Sequence, residues 1–376
     1  MRGTVAEVDL AAILHNAREI RRRLGPRVAL MGVVKANAYG HGAVAVARLL
    51  KEAGIEWLGV ATAEEGAELR EAGVTGPILV LGPSNREEMH LALTQSLDLT
   101  LVDEMGWHHL LEVCQNLSRP ARVHLKVDTG MGRVGVAPDS VVSEWAPRLS
   151  AGVVRWQGLM SHLAESDAED SSFTRHQLGT FLDVIEGLRQ AKQALPPELH
   201  LANSAAALKY PGTHFTLVRV GIGLYGTEPW APAFGLRPAM RLISRVTMVK
   251  RVKSGQSIGY GRTYVASRPT VIATVAVGYA DGFPRSASNV GWMLLRGRRC
   301  PVVGRVSMDQ TTIAVPDDVP VQPGDAVTLM GREGGEEIGA RDWAAWSNTI
   351  SYEVLTRIGP RVPRRYLGAG TPGPVD

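Results

Sequence analysis

The sequence predicts an α/β protein, with an amino-terminal eight-stranded (β/α) barrel of the TIM type and a carboxy-terminal, mainly β domain. Three observations carry this prediction. Short apolar runs recur between amphipathic stretches through the first 220 residues, and they number eight. After about residue 235 the alternation gives way to strands broken by Gly and Pro turns.

Before the first of the eight runs, Asp9 is placed to cap the first helix. The segment GTVAEV, residues 3 to 8, is placed to pair into the second domain. The eight runs are VALMGVVK, WLGVA, PILVLG, DLTLV, RVHLKV, RWQGLMSH, LHLANS and LVRVG, separated by stretches such as AVAVARLLKEAG and FTRHQLGTFLDVIEGLRQ. Continuous apolar strands alternating with helices argue for a parallel sheet covered on both faces, and eight such units fit a closed barrel. An open, doubly wound sheet is the alternative. The proline-containing segment TEPWAPAFGLRP reads as the connection. Beyond it come the strands MRLISRVTMVKRV, PTVIATVAVGY, WMLLRGRRCPVVGRVSM, TTIAV and DAVTLMG, with a single clear helix near GARDWAAWSNTIS. The expected domains are residues 9–230 and 236–367, with 1–8 joining the second, and the tail 368–376 has the composition of disorder.

A chain of 376 residues has room for two domains and a large core. Its 41 basic and 37 acidic residues are dispersed, and the net charge of +4 leaves no nucleic-acid footprint. The small excess is compatible with anionic ligands. The amino end lacks a signal-peptide pattern, and no apolar run approaches the ~20 residues of a membrane span, so a soluble cytoplasmic protein is expected. Cys114 and Cys300 stand far apart and read as buried thiols. The 10 histidines form no zinc pattern, and His108 and His109 read as helix surface.

On a (β/α) barrel the active site sits at the carboxyl ends of the strands. Lys35, Lys126, His162, Asn203, Ser204 and Arg219 fall there, from five different strands. Lys35 ends an apolar run in VVKANAYGHG, where lost hydration favours a neutral amine able to form a Schiff base. The plainer alternative is a lysine snorkelling to water. In LVRVGIGLYG, Gly221 and Gly223 let backbone N–H groups approach a phosphate, with Ser204 offering a hydroxyl; a simple tight turn is the alternative. A phosphate pocket facing a desolvated lysine suits pyridoxal phosphate. Arg219 facing the pyridine nitrogen would leave that nitrogen unprotonated, which favours simple proton exchange over decarboxylation or transamination. His162 is placed to hold the guanidinium.

The motifs VVKANAYGHG, KVDTGMGRVG, LANSAAAL, VRVGIGLYG, IGYGRTY, GYADGFPR, GRVSMDQ and TISYEV, in that order from Val33 to Val354, resemble the motif set of the alanine racemase family. The resemblance implies a pyridoxal-phosphate enzyme with a barrel and a β domain, active as a homodimer on alanine and supplying D-alanine for peptidoglycan. It makes Lys35 the cofactor-bearing lysine and one catalytic base. Tyr264 becomes the second base, reaching the opposite face from the partner subunit. Arg219 is implied at the pyridine nitrogen, with His162 and Asn203 beside it, and Tyr39, Ser204, Gly221, Ile222 and Tyr352 at phosphate-binding positions. Arg133 would steer the substrate carboxylate, and Met308 would offer it a backbone N–H across the dimer. Lys126 occupies a position that carries a carbamate (N6-carboxylysine) in many members. Tyr279, Asp281, Arg285, Arg305 and Ile350 fall where the family has its access corridor. Ser307 replaces a cysteine found in some relatives, and SHLAES replaces a more usual THF, which touches substrate range rather than mechanism.

A decarboxylase of basic amino acids on the same fold is the nearest rival, but such enzymes typically hold an acid where Arg219 stands. A racemase of broader specificity is a further variant. A non-catalytic pyridoxal-phosphate carrier would leave the β domain and Tyr264 without a purpose.

Overall fold

The computed structural model describes residues 3–368. Strand β1 (Val5–Asp9) leads into a helix over Leu10–Arg21, which starts where the Ala12 N–H donates to Asp9 Oδ1 at 3.0 Å. Eight parallel strands follow: β2 (Ala29–Val33), β3 (Trp57–Val60), β4 (Ile78–Val80), β5 (Asp98–Leu101), β6 (Arg122–Lys126), β7 (Arg155–Met160), β8 (Glu198–His200) and β9 (Leu217–Val220). Each overlaps one of the eight apolar runs, and β8 alone begins one residue ahead of its run.

Their order is β8-β7-β6-β5-β4-β3-β2-β9. The seam between β8 and β9 is joined by backbone bonds from Thr216 N–H to Leu199 C=O, 3.1 Å, and from Arg219 N–H to Ala202 C=O, 3.0 Å. This is a nearly closed barrel and not an open sheet. Every residue of β3, β4, β5 and β9 is buried, Asp98 and Thr100 of β5 included, because helices cover one face and the barrel interior the other.

One local expectation is corrected. Strand β2 stops at Val33, and Lys35 instead opens a turn in which Ala36, Asn37, Ala38 and Tyr39 all have φ between 50° and 53°. Left-handed backbone costs roughly 1–2 kcal/mol per L-residue, so the turn must be held from outside. Asn37 Oδ1 accepts the Ala43 N–H at 2.8 Å, and Glu65 Oε1 accepts the Ala36 N–H at 2.6 Å.

In the β domain, β10 (Met240–Val252) pairs antiparallel with β1, which pairs on its other side, in parallel, with Arg364–Leu367. The two ends of the described chain therefore share one sheet. Two helices stand where one was expected. Ala340–Ser347 ends at Asn348, with φ of 49°, and Ser351–Thr356 begins a second helix. A buried apolar cluster runs through both domains, with Trp343 set edge-on against Phe283 at 4.9 Å. Cys114 and Cys300 are buried and unbridged. Among the described residues no helix is long and apolar enough to cross a membrane, and no His/Cys/Asp/Glu cluster could hold a metal. The tail expected to be disordered lies, from residue 369 on, outside the described residues.

Candidate active site

At the carboxyl ends of the strands a cavity of about 940 Å³ is lined by Lys35, Lys126, His162, Asn203, Ser204 and Arg219 together. Tyr39, Arg133, Gly221, Ile222, Ile350 and Tyr352 join them. A second cavity, about 690 Å³, opens at the other end of the barrel beside Arg70 and Arg122. Arg70 is spent there on the carbonyls of Val74, Gly76, Gln95 and Ser96, and no lysine or histidine lines it. The chemistry belongs at the mouth.

Arg219 is fixed from behind. Its Nη1 donates to the His200 carbonyl at 2.9 Å and meets His200 Nδ1 at 3.0 Å. Its Nη2 donates to the carbonyls of Ser161 (2.6 Å) and Leu201 (3.1 Å) and meets His162 Nδ1 at 3.2 Å. Burial pulls the guanidinium down to about 10, still a cation at neutral pH. Burial, then the charge of Arg219, holds His162 well below the usual histidine range, so it faces the arginine as a neutral ring.

At the adjacent corner, Ser204 Oγ accepts the N–H groups of Gly221 at 3.0 Å and Gly223 at 3.2 Å. Gly221 is needed for close approach, since a Cβ there would lie 2.2 Å from the Tyr39 hydroxyl. The Tyr39 and Tyr352 rings lie 6.0 Å apart, and burial pushes both hydroxyls up, so they remain donors. Asn203 has a structural duty as well. Its Oδ1 caps the helix Ser204–Lys209 by accepting from Ala206 N–H at 3.1 Å and also takes the Ser166 hydroxyl at 2.7 Å.

Burial and the charge of Arg133 lower Lys35, opposed in part by Glu65. Lys126 is pulled down to about 8, by burial first and then by Arg219 and Arg133. Between pH 8 and the ordinary lysine value near 10.5, the unfolded chain holds a proton that the folded chain has released. Stability should therefore rise with pH through that window. Urea denaturation of wild type and Lys126→Met in CO₂-free buffer checks this, and the substitution should remove the Lys126 share of the rise.

Two residues were invisible to sequence reasoning. His200 ends the three-residue strand β8, just ahead of the LANSAAAL motif and outside it. Glu65 lies in the helix Ala63–Glu71, and its carboxylate takes the N–H groups of Ala36 (2.6 Å) and Ala61 (2.7 Å), clamping the left-handed turn behind Lys35. Glu65→Ala leaves both donors without their acceptor and should destabilise by about 1–3 kcal/mol, read from the urea midpoint.

Of the expected β-domain residues, Ile350 and Tyr352 line this cavity, and the others do not reach it within one chain. Tyr264 is half-buried beside Val252 and Ile258, and Met308 is 53% exposed. Tyr279 and Arg285 line a separate cavity of about 400 Å³. Arg305 is exposed, while Asp281 is buried and anchors the domain by accepting the Gly278 N–H at 2.9 Å and pairing with Arg361 at 3.0 Å.

Family models match in both domains, for the alanine racemase N-terminal domain over residues 8–229 and its C-terminal domain over 239–366. The chain belongs to the alanine racemase family. An alanine racemase of Symbiobacterium thermophilum is 47% identical over 373 residues, with 98% of each chain covered. One from Cutibacterium acnes is 42% identical over 96% of this chain and 97% of its own. Among solved structures, the alanine racemase of Bacillus anthracis with bound L-Ala-P superposes with a TM-score of 0.92 at 38% identity, covering 99% of this chain and 96% of its own. That of Streptomyces lavendulae gives 0.91 at 39% identity over 98% of each. Alanine racemases are isomerases, and membership supports alanine racemisation as the activity.

Proposed function

We propose that the chain binds pyridoxal phosphate in the barrel mouth and interconverts L- and D-alanine by a two-base mechanism at sites shared between two subunits. One observation supports this above the others: Lys35, Lys126, Arg133 and Arg219 face a single cavity, beside backbone N–H groups and hydroxyls gathered at one corner. So many cations in one partly dry space call for anionic partners, and a phosphate and a carboxylate supply them. The donors fit the group. Ser204, Gly221, Ile222, Tyr39 and Tyr352 would hold the phosphate, and Arg219, steadied by His162, would face the pyridine nitrogen.

When bound, pyridoxal phosphate supplies an aldehyde for an amine and a conjugated ring that takes up the electron pair left by a departing α proton. Lys35 holds the cofactor and moves the α proton at its Nζ on one face, where its lowered basicity lets it both take and return a proton. Tyr264 of the partner subunit works from the other face, so a proton lost on one side is replaced on the other. Arg219 would set a permanent cation against the ring nitrogen and so disfavour its protonation, which suits simple proton exchange. Arg133 orients the substrate carboxylate, together with the Met308 N–H of the partner subunit. Lys126, depressed to about 8, has a neutral fraction at neutral pH able to add CO₂, and the carbamate would hand Arg133 an anion. Tyr279, Arg285, Arg305 and Ile350 would form the access corridor once two subunits meet, with Asp281 bracing its wall. We place the enzyme in the cytoplasm, supplying D-alanine for peptidoglycan.

The test is reconstitution followed by borohydride reduction and peptide mass analysis. The cofactor should become fixed to the peptide carrying Lys35, and attachment elsewhere would overturn the assignment.

A further inference from the structure

Behind Arg219 a file of polar side chains descends the barrel axis. His200 Nε2 meets His124 Nδ1 at 2.8 Å, His124 Nε2 faces Asp98 Oδ2 at 3.6 Å, and Asp98 Oδ1 accepts from Arg122 Nε at 2.6 Å. Both histidines and Asp98 are fully buried. The backbone makes room for this file, since a Cβ on Gly158 of β7 would lie 2.0 Å from His124 Nδ1. A strand position that could have carried core packing is left bare so that an imidazole can cross it.

The donors and acceptors allow one assignment. A guanidinium only donates, so His200 Nδ1, at 3.0 Å from Arg219 Nη1, must accept, and the His200 proton sits on Nε2. That N–H donates to His124 Nδ1, which places the His124 proton on Nε2, directed at a carboxylate that only accepts. The last gap is longer than a hydrogen bond. Yet neither His124 Nε2 nor Asp98 Oδ2 has a hydrogen-bond partner, and the attraction between them acts in a poorly screened interior. Burial and the Arg219 charge hold His200 well below the usual histidine range, in keeping with a neutral ring.

We infer that Asp98 is a positioning residue for Arg219: through His124 and His200 it fixes the tautomers that let His200 accept from the guanidinium. The arginine is thereby held at the cofactor's ring nitrogen, a role that rests on the pyridoxal-phosphate reading above. The same dependence of a histidine tautomer on a buried aspartate governs the serine-protease triad.

The test is imidazole ¹⁵N NMR of the holoenzyme, with resonances assigned by Asp98→Asn and His124→Phe. Wild type should show both His124 and His200 protonated on Nε2. In D98N the amide directs a donor at His124 Nε2, so both rings should invert and set an N–H against Arg219. The cofactor absorbance should then shift and kcat should fall about 10- to 100-fold, by analogy with the hydrogen-bond partners of metal-ligating histidines, with KM for alanine less changed. D98N/H124F imposes no tautomer on His200 and should recover the wild-type absorbance and most of the lost rate. A merely structural Asp98 would instead make the double variant worse than either single one. An Nδ1–H on either ring in wild type, or a D98N enzyme with unchanged absorbance and kcat, overturns the inference. If D98N does not fold, Asp98→Ala, which removes the carboxylate without aiming a donor at His124, takes its place, and an absorbance and kcat unchanged from wild type overturn the inference. Failure of wild type to bind pyridoxal phosphate would sink the cofactor reading instead, leaving the tautomers to be read in the same spectrum.

Discussion

Lys35→Ala is expected to lower racemisation by at least about 10⁴-fold, because on the proposed reading one side chain both holds the cofactor and exchanges the α proton. Loss of a positioned acid–base group alone costs roughly 10²–10⁴-fold, and loss of covalent attachment adds to it. The fold should survive. Lys35 is only half-buried, and the left-handed turn behind it is clamped by Glu65 and Asn37 rather than by the lysine. Pyridoxal phosphate should still bind K35A, more weakly, through Ser204, Tyr39, Tyr352 and Arg219, and a small amine added to the buffer should restore part of the rate. Steady-state assay of K35A with and without methylamine measures this. A variant that keeps a tenth of the wild-type rate would remove Lys35 from the chemistry.

Tyr264→Phe should be the next most damaging change, and its effect should be one-sided. The tyrosine sits in the β domain, paired across a short ladder with Ile258 and apart from its own chain's cavity. On the proposed reading it serves a neighbour's site. Enantiomers have equal free energies in water, so net kcat/KM must fall equally in both directions, and the asymmetry appears only in isotope exchange. Exchange of the α hydrogen of L-alanine should fall about 10²–10³-fold, and that of D-alanine much less, because Lys35 still faces it. Equal losses would argue against separate bases for the two faces. Mixing K35A with Y264F subunits should restore about a quarter of the wild-type activity. Half of the random dimers are hybrids, and each hybrid holds one intact site.

The barrel was legible because strands buried on both faces read as mainly apolar runs, and each of the eight runs overlaps a strand. The turn after β2 was not, since four successive non-glycine residues at φ near 50° carry no local signal and are held by Glu65 from the helix that follows β3. The helix carrying Tyr352 was missed because Asn348 turns the chain left-handed in the middle of what reads as one helical stretch. The file behind Arg219 left a trace. Arg122, His124 and Lys126 alternate along β6 and so share one face of the strand, pointing from the barrel floor to its mouth. Only Lys126 stood out, because a lone histidine in an apolar strand shows nothing of the His200 that it meets 76 residues later. The roles of Tyr264 and Met308 came from motif resemblance alone. Neither lines the cavity of its own chain, and the proposed reading brings them there from a second copy.

The most direct test is proton NMR of L-alanine in deuterated water with the reconstituted enzyme, followed by chiral analysis of the product. The α-proton signal should vanish while D-alanine accumulates to equal amounts. A retained α proton in the presence of bound cofactor would contradict alanine racemisation as the function of this site.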